Sequence, residues 1–391
     1  MHLPQIILNF ILSLCVLSPV FAQAQNEMEQ LQIPQCLAAK LDKNYSILAE
    51  NKNFKIINIP AAEVDELALL ADQVACGRFK NLSHQSKEEV ARALLQPATI
   101  KVPAYKRGNY RINHREAVYQ AIAKIDSTNI WQTLSHLTSY HNRFAKQETG
   151  YQTALWLQNQ FEDLARSQGR HDTATYLVET GNDYIQPSVV TVIGKDLKAP
   201  AVVIGAHMDT LAGRMPGAGD DASGSATILE MARVLLASEN HLKHPVYIIW
   251  YAAEESGLLG SQRVVAYFKE RAIKVKAVVQ FDMTGFRHQD DDPTMWLFLD
   301  NTEPGLTAFT AQLIEEYIKV PVAYSSCGYS CSDHASWSEA GFSVVFPCET
   351  SFEDHNPFMH TSSDTMNLLN TEHMVNFTKL ALAFAIELAG S

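Results

Sequence analysis

The 391-residue chain has no long block of like charge, no low-complexity tract and no internal repeat, so neither a disordered nor a solenoid architecture is expected. Charged residues make up only 19% of it, and the scarcer sign is positive, 31 Lys+Arg against 43 Asp+Glu. A net charge of −12 argues against a general nucleic-acid or anionic-membrane binder, which would need a basic face. Several catalytic signatures are missing as well. There is no HExxH, which excludes a zinc protease site built on one helix, and neither GxSxG nor a P-loop occurs. The stretch GAGDDASG (217–224) lacks GxGxxG spacing, and its two aspartates would repel a pyrophosphate.

Long apolar runs are scarce too. The run from Ile6 to Phe21 falls short of the ~20 residues that span a bilayer, and no other run comes near it. Residues 1–24 hold no Lys, Arg, Asp or Glu and end in Ala22-Gln23-Ala24, a small-x-small pattern suited to cleavage. Only the positive n-region is wanting, with His2 in its place. Leu14 precedes Cys15 where a lipid anchor needs a small residue. The expectation is a signal peptide over 1–24 and a soluble protein secreted to the periplasm or the medium, with no membrane association.

Cysteines are few. Once Cys15 leaves with the signal, Cys36, Cys76, Cys327, Cys331 and Cys348 remain, which in an oxidising compartment allow two bridges and one leftover thiol. Cys327 and Cys331 suit a tight local disulfide, and Cys36 and Cys76 could staple one region. A thiolate zinc site competes, although CxxxC without a second pair is poor for that.

The length suggests two domains at roughly 100–200 residues each. Residues 25–116 carry 13 basic against 11 acidic residues, while 117–391 carry 18 against 32. Residues 25–115 show helical spacing in Val64, Leu67, Ala68 and Ala71 but no cluster of catalytic residue types. Pro97, Pro103 and Gly108 mark a candidate linker. Two readings stand for this region: a small stabilising domain, or a prosegment that shields an acidic active site until it is removed.

From about residue 186, short apolar runs alternate with amphipathic stretches. Candidate strands are 189–193, 202–206, 246–252, 277–281, 295–299 and 344–346. Ile228, Met231, Ala232 and Leu235, and later Phe377, Leu380, Ala381 and Phe384, form helical stripes. This predicts an α/β domain over 116–391, with a sheet covered by helices on both faces.

Ligands of such sheets bind beyond the carboxyl ends of the strands. His207 and Asp209 follow one candidate strand, Glu254 and Glu255 a second, and Asp282 ends a third. Asp220 and Asp221 precede a helix, and His360 lies in the turn-rich NPFMHTSSD (356–364). Taken singly, each is an ordinary turn, cap or surface residue. Three strand exits bearing His or carboxylate together point to a metal site.

The segments GAHMDT (205–210), GAGDDASG (217–224), YAAEESGLLGS (251–261), QFDMT (280–284), CGYSCSDHASW (327–337) and MHTSSDT (359–365) resemble the dizinc aminopeptidases of the M28 clan, above all the secreted bacterial leucine aminopeptidases of the Vibrio type. The likeness runs from about residue 126 to the C-terminus. It implies a zinc-exopeptidase-like fold, a mixed and mostly parallel sheet, and two Zn²⁺ per chain. His207, Asp220 and Asp282 would bind one, and Asp220, Glu255 and His360 the other. Glu254 matches the general base acting on a zinc-bridged water, Asp209 the carboxylate that orients His207, and Asp220–Asp221 a cis peptide. Three carboxylates and a bridging hydroxide would balance the charge of two Zn²⁺, which in such pairs sit roughly 3.5–4 Å apart.

Substrate-pocket positions that match are Met283, Tyr329, Cys348, Phe352, His355 and Met359, suited to an apolar N-terminal residue such as Leu, Met or Phe. Cys348 and His355 depart from the expected aromatics, the first widening the pocket and the second making it more polar. The implied partner is a peptide or protein N-terminus, handled by a monomer. Within the fold, a one-zinc glutaminyl cyclase or another exopeptidase is the alternative. Outside enzymes, it is a binding module that has lost its metals, which the intact ligand set disfavours.

Overall fold

The computed structural model describes residues 27–74, 76–86, 90, 110–238 and 241–390. The expected signal peptide and the candidate linker around Pro97–Gly108 lie outside the described residues. No helix among those described is long and apolar enough to cross a membrane.

The N-terminal region is built on a sheet that helical spacing alone did not predict. Strands β1 (Met28–Pro34), β2 (Ser46–Glu50), β3 (Phe54–Pro60) and β4 (Lys80–Asn81) pair antiparallel in the order β2-β3-β1-β4. Period-two alternation turns Leu31 and Ile33 of β1, with Ile57 and Ile59 of β3, to one face. The helix Val64–Gln73 covers that face with the expected stripe of Val64, Leu67, Ala68 and Ala71. Leu211 and Met215 of the larger domain complete the same core, so the region is packed against the rest of the chain. Cys36–Cys76 closes it.

The larger domain carries an eight-stranded sheet. Its strands are β5 (Thr173–Val178), β6 (Ser188–Ile193), β7 (Ala201–His207), β8 (Val246–Tyr251), β9 (Val275–Gln280), β10 (Met295–Phe298), β11 (Val322–Ser325) and β12 (Val344–Cys348). They run in the order β11-β10-β12-β9-β7-β8-β6-β5. The centre, β12-β9-β7-β8, is parallel; β5, β6 and the β10–β12 pair are antiparallel. Sequence periodicity found six of the eight strands; β5 and β11 went unseen because each is a partly exposed edge without a continuous apolar run.

Central strands buried on both sides read as continuous apolar runs. Val202, Ile204 and Ala206 of β7, with Val246, Ile248 and Trp250 of β8, meet the helices Glu148–Ser167, Ser223–Leu236 and Thr371–Ala389. Their alternates Val203, Ile249 and Tyr251 meet the helices Leu259–Glu270 and His334–Glu339. Trp337 Nε1 donates to the Tyr251 hydroxyl at 2.8 Å, which satisfies two polar atoms inside that second core. Because β7, β8 and β9 are parallel, their carboxyl ends open on one edge.

Candidate metal centre and cleft

His207 ends β7, the Glu254-Glu255 pair follows β8, and Asp282 follows β9. Asp220 and Asp221 stand just before the helix Ser223–Leu236, and the peptide between them is cis, as the resemblance implied. The last glycine of GAGDDASG is sterically required, since a Cβ on Gly224 would meet the Phe281 carbonyl at 2.2 Å and Asp221 Oδ1 at 2.5 Å. Ala253, Met283 and His360, each at or beside an expected site residue, hold left-handed backbone at φ 49°, 64° and 58°. Such strain in non-glycine residues persists where surroundings enforce it, often at functional sites.

The structure brings five of the expected residues into two linked groups. Ligand atoms of His207, Asp220 and Asp282 lie within 4.8 Å of one another, as do those of Asp220, Glu255 and His360. Asp220 belongs to both: Oδ1 is 2.9 Å from His207 Nε2, and Oδ2 is 2.7 Å from His360 Nε2. Asp282 Oδ1 is 3.4 Å from His207 Nε2, and Glu255 Oε2 is 3.2 Å from His360 Nε2. All five side chains are buried. Nitrogen and carboxylate donors gathered in threes, with three buried anions to balance, fit zinc at each group.

Glu254 belongs to neither group. Its carboxyl is nearly buried and lines the cleft. Burial pushes it well above the usual carboxylate range, with His207 opposing and Glu255 reinforcing the rise. Asp220 goes the other way: burial would raise it, but His360 and His207 hold it well below that range.

Asp209 sits where expected but holds its neighbours differently. Its oxygens accept the backbone N–H groups of Glu254 and Glu255 at 3.0 and 3.2 Å. His207 Nδ1 is 3.5 Å away and makes no hydrogen bond. Asp209 therefore fixes the acidic pair first and borders the histidine second.

Several supporting residues were missed from sequence. Asp221 accepts from His207 N, Gly224 N and Met283 N, tying three motifs together. Asp364 accepts from Gly219 N and Asp220 N, and its carboxyl is raised by burial to about 6. The buried Arg143 donates to the carbonyls of Met208 and Gly217, bracing the loop between His207 and Asp220. The N-terminal region also reaches the site: Asp72 and Arg78 contact His360 and Glu255.

A family model for peptidase family M28 matches residues 188–385, which contain all five grouped ligands and Glu254. The chain belongs to peptidase family M28. Leucine aminopeptidase 1 of Coccidioides posadasii is 36% identical over 293 residues, 71% of this chain and 75% of that protein. The crystal structure of Legionella pneumophila LapA aminopeptidase matches with a TM-score of 0.88 and 58% identity, covering 93% of this chain and 99% of that one. LapB from Legionella pneumophila matches at 0.86 and 45%, with the same coverage. The M28 membership and the α/β class expected from the motifs are thereby borne out.

Beside the M28 ligand groups lies an open cleft. All six expected pocket residues, Met283, Tyr329, Cys348, Phe352, His355 and Met359, line it. So do Phe298 and Phe346, which fall within two of the candidate strands. Their rings meet edge to face at 5.1 Å. Cys327 and Cys331 are bonded, and Cys331 borders the cleft next to Tyr329. Cys348 is the free thiol among the described residues. His355 is exposed, its Nδ1–H donating to Phe352 O at 2.6 Å.

Proposed function

We propose that the protein is exported after removal of residues 1–24 and, as a monomer, uses two Zn²⁺ to hydrolyse apolar N-terminal residues, such as Leu, from peptides. In the division proposed, 25–115 form the N-terminal region and 116–391 the peptidase domain. The reaction class, that of an M28 metallo-aminopeptidase, is common to the relatives above and is that of this chain. The observation that carries the finer reading is a pair of ligand groups sharing Asp220, beside a buried glutamate that belongs to neither and faces an apolar cleft.

Each side chain has a distinct task. His207, Asp220 and Asp282 would hold one zinc, and Asp220, Glu255 and His360 the other. Bound zinc supplies Lewis acidity toward the scissile carbonyl and the attacking water. Glu254 takes the water's proton and hands it to the leaving amine. Asp209 pins the backbone of the acidic pair, so that Glu255 points to the ligand group while Glu254 faces the cleft. Phe298, Phe346, Met283 and Cys348 form an apolar wall for the substrate's first side chain. The free α-amine belongs at the Asp220–Glu255–His360 end, which makes cleavage exo.

The test is a panel of aminoacyl anilides with and without chelator. Leu, Met and Phe derivatives should be cleaved faster than acidic or basic ones; EDTA should abolish turnover and zinc restore it. Cleavage indifferent to EDTA would refute the metal reading. One zinc per chain together with cyclisation of N-terminal Gln peptides would indicate a cyclase instead. Export has its own check, since N-terminal sequencing of protein recovered outside the cytoplasm should begin near Gln25. A start at Met1 there would refute the signal peptide.

A further inference from the structure

The second ligand group has an outer partner that comes from the N-terminal region. Asp72 Oδ2 lies 2.7 Å from Nδ1 of His360, across 288 residues of sequence. Among the described residues it is the one hydrogen-bond partner of that nitrogen. His360 itself sits in a turn with left-handed backbone. The other histidine is held less closely on that side, with His207 Nδ1 3.5 Å from Asp209 Oδ1.

We infer that Asp72 is a positioning residue for the second metal group: by accepting the Nδ1–H of His360, it keeps the Nε2 lone pair aimed at Asp220 and Glu255. A ligating histidine needs its proton on the nitrogen away from the metal, and a carboxylate there fixes both tautomer and ring orientation. The site of Asp72 supports a role beyond the local fold. It stands in the last turn of the helix Val64–Gln73, where the helix dipole disfavours a carboxylate. What compensates it lies outside the helix, in His360 and in Arg78, whose Nε is 3.6 Å from Asp72 Oδ1. Arg78 in turn pairs with the ligand oxygen of Glu255 and lies 3.5 Å from His360 Nε2, so it touches the second group on its ligand side while Asp72 holds the outer side.

The approach is built rather than incidental. Cys76 is tied to Cys36, Gly77 turns at φ 73° against the Tyr329 ring, and Arg78 then enters between Asp72 and Glu255. Asn81 N bonds the Gly257 carbonyl at 3.1 Å just beyond. The cleft nevertheless stays open, with Asp220, Glu254 and His360 on its wall. The region therefore reaches the second group from two sides, Asp72 on the outer nitrogen of His360 and Arg78 on the carboxylate of Glu255.

This rests on the two-zinc reading, and its test separates the two. Full-length protein carrying the N-terminal region is stripped of metal and titrated with Zn²⁺ against a chromophoric chelator. Wild type should take two zinc ions; one alone would refute the two-zinc reading, and Asp72's assignment with it, before any variant is compared. Asp72→Asn should weaken one binding step by about 10–100-fold and leave the other unchanged. Asp72→Glu should recover part of that loss, and Asp72→Ser replaces the Asn variant should it fail to fold. Lys146→Gln breaks a different contact of the same region, the ion pair to Glu29 at 3.3 Å, and should leave both steps alone. A loss under fivefold in the Asp72 variant overturns the proposal. So does tighter binding, which a shielding plug would give, or an equal loss in Lys146→Gln.

Discussion

Glu254→Ala is expected to keep both zinc ions and to lose at least about 100-fold in kcat, the lower end for removal of a general base. The reason lies in where the two neighbouring acids point. Glu255 is a member of the second ligand group, whereas Glu254 belongs to neither group and borders the cleft. Removing it takes away a proton carrier and leaves every proposed ligand in place. KM should change little, because the carboxylate acts on the water and the leaving amine more than on the bound side chain. Glu254→Gln should behave alike, since an amide keeps the shape and cannot accept the proton. Metal analysis and steady-state kinetics on the same sample decide it. Turnover within threefold of wild type would remove Glu254 from the mechanism, and loss of zinc would make it a ligand.

How this site could be read from sequence follows from topology. Parallel strands deliver their carboxyl ends to one edge, so His207, Glu254–Glu255 and Asp282 announce a shared site as soon as β7, β8 and β9 are recognised. The apolar runs of those strands, buried on both faces, made them easy to recognise. By position alone Asp220 was a residue before a helix; its shared role was implied by the family resemblance, and in the structure Oδ1 and Oδ2 face different histidines.

What escaped were contacts with no local signature. Asp72 and Arg78 lie in a region without catalytic spacing and meet partners 288 and 177 residues away. The sheet β1–β4 was hidden because antiparallel alternation in short strands is weaker than a helical stripe. Phe298 and Phe346 carried no signal beyond their place in strands; only the end of the sheet beside the cleft brings their rings to a substrate. Asp209 shows a finer limit: its place was right, but its firm hydrogen bonds go to backbone N–H groups, which no residue pattern encodes.

Asp220→Asn should have the largest effect of any single substitution, lowering kcat/KM by about 10³-fold or more, in keeping with the several kcal/mol assigned to Lewis-acid catalysis. Asp220 alone belongs to both ligand groups, with one oxygen 2.9 Å from His207 Nε2 and the other 2.7 Å from His360 Nε2. An asparagine fills the same volume but turns one of those oxygens into an N–H donor that cannot ligate, and it removes the shared negative charge. One group must then drop to two protein ligands, while the other keeps a neutral carbonyl in place of a carboxylate. Zinc content should fall from two per chain to one or fewer. The fold should survive, because Asp364 holds the backbone at Gly219 and Asp220 and Asp221 ties the neighbouring segments, all without the Asp220 side chain. Asp282→Asn is the informative comparison. It touches the first group only, so it should cost one zinc and spare the second. If Asp220→Asn left the zinc affinity of either group unchanged, Asp220 would not be the bridge, and the two groups would have to be treated as independent sites.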